Sequence, residues 1–242
     1  MEYINQIICG DCREIMKEIP DNSIDLIFTS PPYKNSYEGI GINRGRKSLK
    51  YHYNNDVGEP LYIIEDFASL SINKLKDDGF FLLNLGFNRD SGALRPFYII
   101  DRFRKYKWFC PDILIWHKQN PIPNTAYQLT NAYEYVFILT KYPSYKLPID
   151  KREYIHNVFC SPVEKGETEH NAAFHIDLAK FIISKFSRNN DVVLDPFIGS
   201  GQTAIACKEL GRRYIGIDTD IEYCELSRRR VNAIPELLFK GD

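Results

Sequence analysis

Short apolar runs alternate along the chain with longer segments whose apolar residues recur at helical spacing. The runs 23–29, 80–85 and 192–195 predict buried β-strands, whereas apolar residues three or four positions apart in 61–75 and 174–186 predict amphipathic helices. The same criteria predict further strands at 4–9, 113–116, 133–140 and 214–218, and further helices at 13–19, 94–105, 202–210 and 221–231. Strands that alternate with helices predict an α/β fold with an open, largely parallel sheet and helices on both faces.

Two segments interrupt this alternation. The Asp-Asp-Gly sequence at 77–79 predicts a turn before the strand at 80–85. Residues 141–166 are rich in Pro, Tyr and charged side chains without a period, and they are predicted to be irregular. A chain of 242 residues is within the size of one hydrophobic core, so we predict a single domain over 1–242.

The overall composition is that of an ordinary globular protein, with 44% apolar and 26% charged residues. No apolar run reaches the roughly 18 residues of a membrane span, and the first residues lack the pattern of a signal peptide, so we expect a cytoplasmic protein without a membrane partner. The net charge of −1 gives no general attraction to nucleic acid, so a DNA-binding protein of this composition would need a local basic surface. A basic loop at about 34–60 is the candidate, or else a solvated surface loop; its proposed DNA contacts are Lys34, Arg44, Arg46 and Lys47.

Six cysteines are scattered along the chain, and without a secretion signal reduced thiols are expected. Cys9 and Cys12 form a C-x-x-C sequence between a predicted strand and a predicted helix. A zinc site would need two further ligands, and no second pair at ligand spacing follows, so no metal is predicted. A redox role for this pair stays open.

A glycine-rich turn joins the strand at 192–195 to the next helix. Gly199 and Gly201 match a dinucleotide-binding pattern, and Asp218 ends the following strand at the distance expected of a ribose ligand. Asp195 precedes the glycines, where a carboxylate would repel a pyrophosphate and favour a ligand with an ammonium and a sulfonium, as in S-adenosylmethionine. A nicotinamide cofactor and an unoccupied tight turn are the alternatives.

The sequence Ser30-Pro31-Pro32-Tyr33 ends another predicted strand. Two prolines fix the backbone and remove two donors, which leaves carbonyl groups that point in set directions. A hydroxyl, a fixed carbonyl and an aromatic ring suit a flipped base with an exocyclic amino group. No cysteine lies here, which disfavours methylation of cytosine carbon 5 through a thiol nucleophile. The alternative is a stiff turn without a ligand.

Taken together, these segments resemble the amino-methylating DNA methyltransferases of restriction–modification systems. Residues 28–33 resemble the T-S-P-P-[FY] catalytic motif of the N4-cytosine enzymes, and 195–203 resemble the cofactor motif D-P-F-x-G-S-G-T-T, departing only at Gln202. Residues 170–174, His-Asn-Ala-Ala-Phe, are similar to H-P-A-x-F-P without its prolines. The catalytic motif precedes the cofactor motif, which is the permuted β-type order.

The resemblance implies a Rossmann-like methyltransferase fold and a set of roles. Asp195, Phe197, Gly199 and Gly201 would line the methionine and sugar of S-adenosyl-L-methionine, and Asp218 would hold the ribose. Asp11 and Cys12 would reach the adenine, and His170 and Phe174 would close the pocket. Residues 141–169 would recognise the target in duplex DNA, and relatives of this type are often homodimers.

The leading hypothesis is therefore transfer of a methyl group to N4 of cytosine in duplex DNA by base flipping. Ser30, in place of the Asp typical of N6-adenine enzymes, favours cytosine, and N6-adenine methylation is the alternative within the family. A nicotinamide-dependent oxidoreductase and a nucleic-acid-binding module without catalysis are the alternatives from other classes.

Overall fold

The structure, a computed structural model, describes residues 1–31, 61–86, 93–121, 123, 129–149, 153–162 and 174–235, with 61–64 described by their backbone alone. In these residues the elements follow in the order β1 (Gln6–Cys9), α1 (Cys12–Glu18), β2 (Ile24–Thr29), α2 (Leu61–Lys74), β3 (Leu75–Leu85), α3 (Arg95–Phe103), a 3₁₀ turn (Arg104–Tyr106), β4 (Phe109–Lys118), β5 (Tyr133–Thr140), β6 (Val158–Ser161), α4 (Ile176–Phe186), β7 (Val192–Asp195), α5 (Gln202–Glu209), β8 (Arg213–Asp218) and α6 (Ile221–Asn232).

The strands of the described residues form one sheet in the order β1-β8-β7-β2-β3-β5-β4-β6. All neighbouring pairs are parallel except those of β5, which runs antiparallel to both β3 and β4. The predicted open, largely parallel sheet is confirmed. The chain passes from β2 through α2 to β3 on one side and from β7 through α5 to β8 on the other, so the winding reverses between β7 and β2. Ligands of such sheets bind at this switch point, beyond the carboxyl ends of the strands.

Helices cover both faces of the sheet. Helices α1, α2 and α3 bury side chains such as Phe67 against one face, and α4 and α5 bury side chains such as Ile182 against the other, which we call the α4-side core. Successive strand residues point to opposite faces, so Phe81 joins the first core and Phe80 the second. This two-sided burial explains the continuous apolar run at 80–85. None of the helices in the described ranges is long and apolar enough to cross a membrane.

The structure differs from the prediction in both segments that interrupt the alternation of strands and helices. The turn predicted at 77–79 was wrong, because β3 continues through these residues; Ile24 pairs with Leu75 and Leu26 with Phe80, so the extra residues form an irregularity in the strand. The segment predicted to be irregular contains β6, which pairs with β4 at the edge of the sheet. Its side chains are mostly exposed or half-buried, so the edge strand lacks an apolar pattern.

Other boundaries differ in smaller ways. Strand β4 is longer at both ends than the predicted 113–116, and the predicted helix at 94–105 ends as an α-helix at Phe103 before the 3₁₀ turn. The single-domain organisation over 1–242 stays a prediction.

Candidate active site

Four of the predicted site segments lie side by side at the carboxyl edge of the sheet. Asp11 follows β1, Asp218 ends β8, Asp195 ends β7 and Ser30 follows β2, and these strands are consecutive neighbours. The switch point lies between Asp195 and Ser30. The fold therefore brings together segments that are far apart in the sequence.

The turn between β7 and α5 depends on two glycines with positive φ. Gly199 has φ +49° and Gly201 has φ +89°, a region of the backbone map in which residues with a Cβ are strained. A Cβ on Gly201 would also lie 2.7 Å from the Cβ of Ser227 on α6. The close approach of α6 and the positive φ each require glycine at position 201.

Arg230 on α6 anchors the same turn. Its Nη1 donates to the carbonyl oxygen of Ser200 (2.6 Å), and its Nη2 donates to Oε1 of Gln202 (3.3 Å). Gln202 is the position at which this sequence departs from the family motif. Its longer side chain reaches a partner on α6, which sequence reasoning did not predict.

Asp195 connects the glycine turn to the strand that carries the Ser30 motif. Its carboxylate is 2% exposed and accepts hydrogen bonds from Thr29 Oγ1 (2.6 Å), Thr203 Oγ1 (2.6 Å) and the backbone N–H of Phe197 (3.1 Å). Burial raises the pKa of Asp195 to about 6, against the effect of these three hydrogen bonds. Sequence reasoning found Asp195 but not its two threonine partners.

Asp218 shapes the neighbouring strand end. Its Oδ2 accepts from the backbone N–H of Gly199 (3.0 Å), and its Oδ1 accepts from that of Asp220 (2.9 Å). Burial raises the pKa of Asp218, and the negative charge of Asp218 in turn contributes to the raised pKa of Asp195. Each carboxylate oxygen can accept more than one hydrogen bond, so the predicted contact with ribose hydroxyls is compatible with this geometry.

Asp11 and Cys12 begin α1 beyond the end of β1. Asp11 caps the helix by accepting from the backbone N–H of Arg13 (2.9 Å), and hydrogen bonds from the Arg13 guanidinium lower its pKa. Cys12 is buried, and burial raises the pKa of its thiol to about 12. A thiol that stays protonated is unreactive, so burial argues against a redox role for Cys12. In the part of the chain that the structure describes, no group of three or more His, Cys, Asp or Glu could hold a metal.

Ser30 lies beside a polar cluster of Asn84, Glu134 and Lys118. Lys118 and Glu134 belong to the segments 116–118 and 131–140, which resemble the part of the family that packs beside the flipped base, whereas sequence reasoning missed Asn84. Asn84 Nδ2 donates to Glu134 Oε2 (2.7 Å) and lies 3.4 Å from Ser30 Oγ, and Lys118 Nζ lies 2.5 Å from Glu134 Oε1. One signal was available, since Asn84 is a polar residue inside the continuous apolar run of β3.

Two of the three predicted aromatic site residues lie in the described part of the chain and pack close to the site. The ring centroids of Phe174 and Phe28 are 4.8 Å apart, so Phe174 supports the strand that leads to Ser30. Phe197 makes an edge-to-face contact with Phe67 on α2, at 5.7 Å. Seven of the predicted site residues lie outside the described residues: Pro32, Tyr33, Lys34, Arg44, Arg46, Lys47 and His170.

The sheet order, the glycine turn and the two carboxylates at its strand ends define a Rossmann-like α/β protein with a candidate cofactor site at the switch point. Solved structures share this fold. The cytosine-N4-specific PvuII DNA methyltransferase has a TM-score of 0.74 at 21% identity over 95% of this chain and 87% of that one. TTHA0409 of Thermus thermophilus, in complex with S-adenosyl-L-methionine, has a TM-score of 0.69 at 25% identity over 93% and 92%.

Sequence comparison identifies the family. The profile of the DNA methylase family of N6 and N4 methyltransferases matches residues 24–229. The Type II methyltransferases M.HinfI of Haemophilus influenzae and M2.MboI of Moraxella bovis are each 29% identical over 253 residues; the alignments cover 96% and 95% of this chain and 70% and 88% of those proteins. The chain belongs to the DNA methylase family and is an amino-methylating DNA methyltransferase of the restriction–modification type. This assignment excludes the nicotinamide-dependent alternative.

Proposed function

We propose that the protein methylates the exocyclic N4 of cytosine in duplex DNA. The observation that carries the proposal is Ser30, which follows β2 at the switch point, one strand away from Asp195. A hydroxyl in this position is typical of the N4-cytosine enzymes, whereas the N6-adenine enzymes typically have a carboxylate. S-adenosyl-L-methionine is the cofactor and supplies an electrophilic methyl group on a sulfonium.

The order of the strand ends fits this cofactor. Asp11 and Cys12 at β1 would contact the adenine, Asp218 at β8 the ribose, and Asp195 at β7 the methionine. The partners of Asp195 are hydroxyls and a backbone N–H, and burial disfavours its charged form. A cationic ligand would compensate this cost, as an ammonium or a sulfonium does. The methyl group would then face the end of β2.

The residues after β2 would prepare the target nitrogen. The lone pair of a cytosine amino group is delocalised into the ring, which makes the nitrogen a poor nucleophile. Hydrogen bonds from the amino group to Ser30 Oγ and to the Pro31 carbonyl favour a pyramidal nitrogen whose lone pair points at the methyl group. The nitrogen would form a bond to the methyl carbon as the bond from sulfur to that carbon breaks, which leaves the thioether S-adenosylhomocysteine, and the nitrogen would then release one proton to water. Positioning and electrostatics account for most of the rate in this scheme.

Nucleoside analysis of DNA treated with the purified protein and S-adenosyl-L-methionine tests the proposal. We expect N4-methylcytosine as the product. N6-methyladenine alone would replace the cytosine assignment with the alternative of the same family.

The basic loop is our proposed DNA contact. Substitution of Arg44, Arg46 and Lys47 by Ala should remove phosphate contacts and lower the slope of log affinity against log salt by about 3. An unchanged slope would make the loop an ordinary surface segment.

A homodimer stays a prediction, which the molar mass in solution would test.

A further inference from the structure

A row of polar side chains crosses four strands at the carboxyl edge of the sheet. It lies on the side of Ser30 that faces away from the glycine turn between β7 and α5. The row lies on one face of the sheet, because each member is two positions from a side chain of the α4-side core. These pairs are Ser30 with Phe28, Asn84 with Leu82, Glu134 with Val136, and Lys118 with Trp116.

The register of the strands brings the row together. Asn84 pairs with Val136 across β3 and β5, and Trp116 pairs with Glu134 across β4 and β5. Trp116 has its own partner, since its Nε1 donates to Ser161 Oγ on β6 (2.8 Å). The side chains of the row therefore come from elements distant in sequence, and only the sheet places them in contact.

The chemistry of Glu134 fixes the orientation of Asn84. A carboxylate only accepts hydrogen bonds, so the atom of Asn84 that lies 2.7 Å from Glu134 Oε2 is the Nδ2 donor. Nδ2 carries two hydrogens. The second is directed to Ser30 Oγ, 3.4 Å away. The amide therefore donates to both neighbours.

Burial of this polar cluster is unfavourable for the free energy of folding. Asn84 is 1% exposed, and the side chains of Lys118 and Glu134 are 15% and 18% exposed. A poorly solvated ion pair returns little net stability, because desolvation of both charges offsets their attraction. Lys118 also lies over the ring of Trp116, with Nζ 5.4 Å from the centroid. A role in orienting the neighbouring Ser30 accounts for the cluster better than a contribution to folding.

We propose that Asn84, held by the Glu134–Lys118 pair, is a positioning residue that orients the hydroxyl of Ser30 toward the target base. The proposal rests on the proposed function of Ser30. The Asn84 donor takes one lone pair of Oγ, so the hydroxyl hydrogen of Ser30 points away from Asn84. The second lone pair of Oγ then accepts from the amino group of the base. Without Asn84 the hydroxyl loses this donor and is oriented less well, so fewer encounters align the nitrogen.

A double-mutant cycle between Asn84→Ala and Ser30→Ala tests this. We expect Asn84→Ala alone to lower kcat about tenfold to a hundredfold, as lost alignment does. The KM and the Kd for S-adenosyl-L-methionine should stay within about twofold of the wild-type values. In the Ser30→Ala background, Asn84→Ala should cause no further loss of kcat, because coupled residues are not additive. Equal losses in both backgrounds would overturn the proposal.

Two further variants keep the test decisive. Thr140→Val is a matched control, since Thr140 is a buried polar residue at the opposite end of β5 whose Oγ1 donates to the Tyr142 carbonyl (2.7 Å). Thr140→Val should lower the melting temperature without lowering kcat.

If Asn84→Ala does not fold, Glu134→Gln replaces it in the cycle. Glu134→Gln should give a smaller loss of kcat, which also disappears in the Ser30→Ala background. A loss of kcat that persists there, or one that Thr140→Val reproduces, would overturn the proposal.

The assay counts methyl groups transferred to DNA, whichever base receives them. A product of N6-methyladenine would therefore refute the cytosine assignment and leave the cycle interpretable. Wild-type kcat in Ser30→Ala would refute the role of Ser30 and, with it, that of Asn84.

Discussion

The two sides of the switch point are built from different kinds of contact. On the cofactor side, formed by the ends of β1, β8 and β7, carboxylates accept from backbone N–H groups and hydroxyls close to them in space, as Asp218 does from Gly199. On the proposed base side, formed by the last residues of β2, β3 and β4 and the first residues of β5, Asn84, Glu134 and Lys118 contact one another through their side chains. The cofactor side thus combines backbone and side-chain donors around its carboxylates, whereas the contacts described for the base side join side chains to one another. Substitutions should separate the two.

The largest expected effect is on the base side. Ser30→Ala should lower kcat about 10²- to 10³-fold, the usual loss when one positioned hydrogen-bonding group is removed from a reacting centre. Affinity for S-adenosyl-L-methionine, measured by calorimetry, should not change, because the contacts of the cofactor side remain. A parallel loss of cofactor affinity would mean that the two sides are not separable at Ser30.

The next effect is on the cofactor side. Gly201→Ala should lower the free energy of unfolding by about 2–4 kcal/mol, because a Cβ at positive φ and within 2.7 Å of the Ser227 Cβ adds strain and overpacking. Chemical denaturation measures this, and cofactor affinity should fall in the same variant.

Gly86→Ala is the matched change on the base side. A Cβ there would lie 3.3 Å from Glu134 Cδ, a contact that a small shift of the carboxylate relieves. We expect cofactor affinity to be unchanged and kcat to fall only about threefold, as a slight misalignment would cause. A Gly86→Ala variant that loses cofactor affinity would contradict the distinction between the sides.

The third effect concerns pH. The folded-state pKa of Asp195 is raised to about 6, so between about pH 4 and pH 6 the folded protein binds more protons than the unfolded chain. Its contribution to stability is present at low pH and is lost as the pH rises through 6. Cofactor binding should have the opposite dependence, because the proposed contact with the ligand's ammonium needs the ionised carboxylate of Asp195. Affinity should fall about tenfold from pH 7 to pH 5 in the wild type.

Asp195→Asn tests whether this carboxyl is the titrating group. The variant keeps the size of the side chain and should bind the cofactor weakly, with a flatter pH dependence. The raised pKa of Asp218 leaves a residual slope in the same direction. An undiminished slope in Asp195→Asn would assign the pH dependence to another group.

The same difference explains what the sequence could predict. The cofactor turn is encoded locally, since Asp195, Gly199 and Gly201 lie within seven consecutive residues, and the alternation of apolar runs predicted the sheet around it. Asn84 and Glu134 are 50 positions apart, and only the pairing of β3 with β5 brings them together. Register is set by tertiary packing, which a single sequence does not display. Strand β6 was missed for a different reason, because this edge strand has mostly exposed or half-buried side chains and therefore no apolar pattern.

The smallest expected effect concerns Arg230, where a side chain supports the backbone of the cofactor side. Arg230→Lys keeps the charge but loses the planar guanidinium that reaches both Ser200 and Gln202. Lysine can still donate to one of these two acceptors, so we expect cofactor affinity to fall only about two- to fivefold, the value of roughly one net hydrogen bond. The Kd for S-adenosyl-L-methionine measures this, with kcat at saturating cofactor as the control. If kcat falls while Kd stays constant, the glycine turn influences alignment of the methyl group directly. In that case α6 would support both the cofactor side and the base side, and the two sides would not be separate.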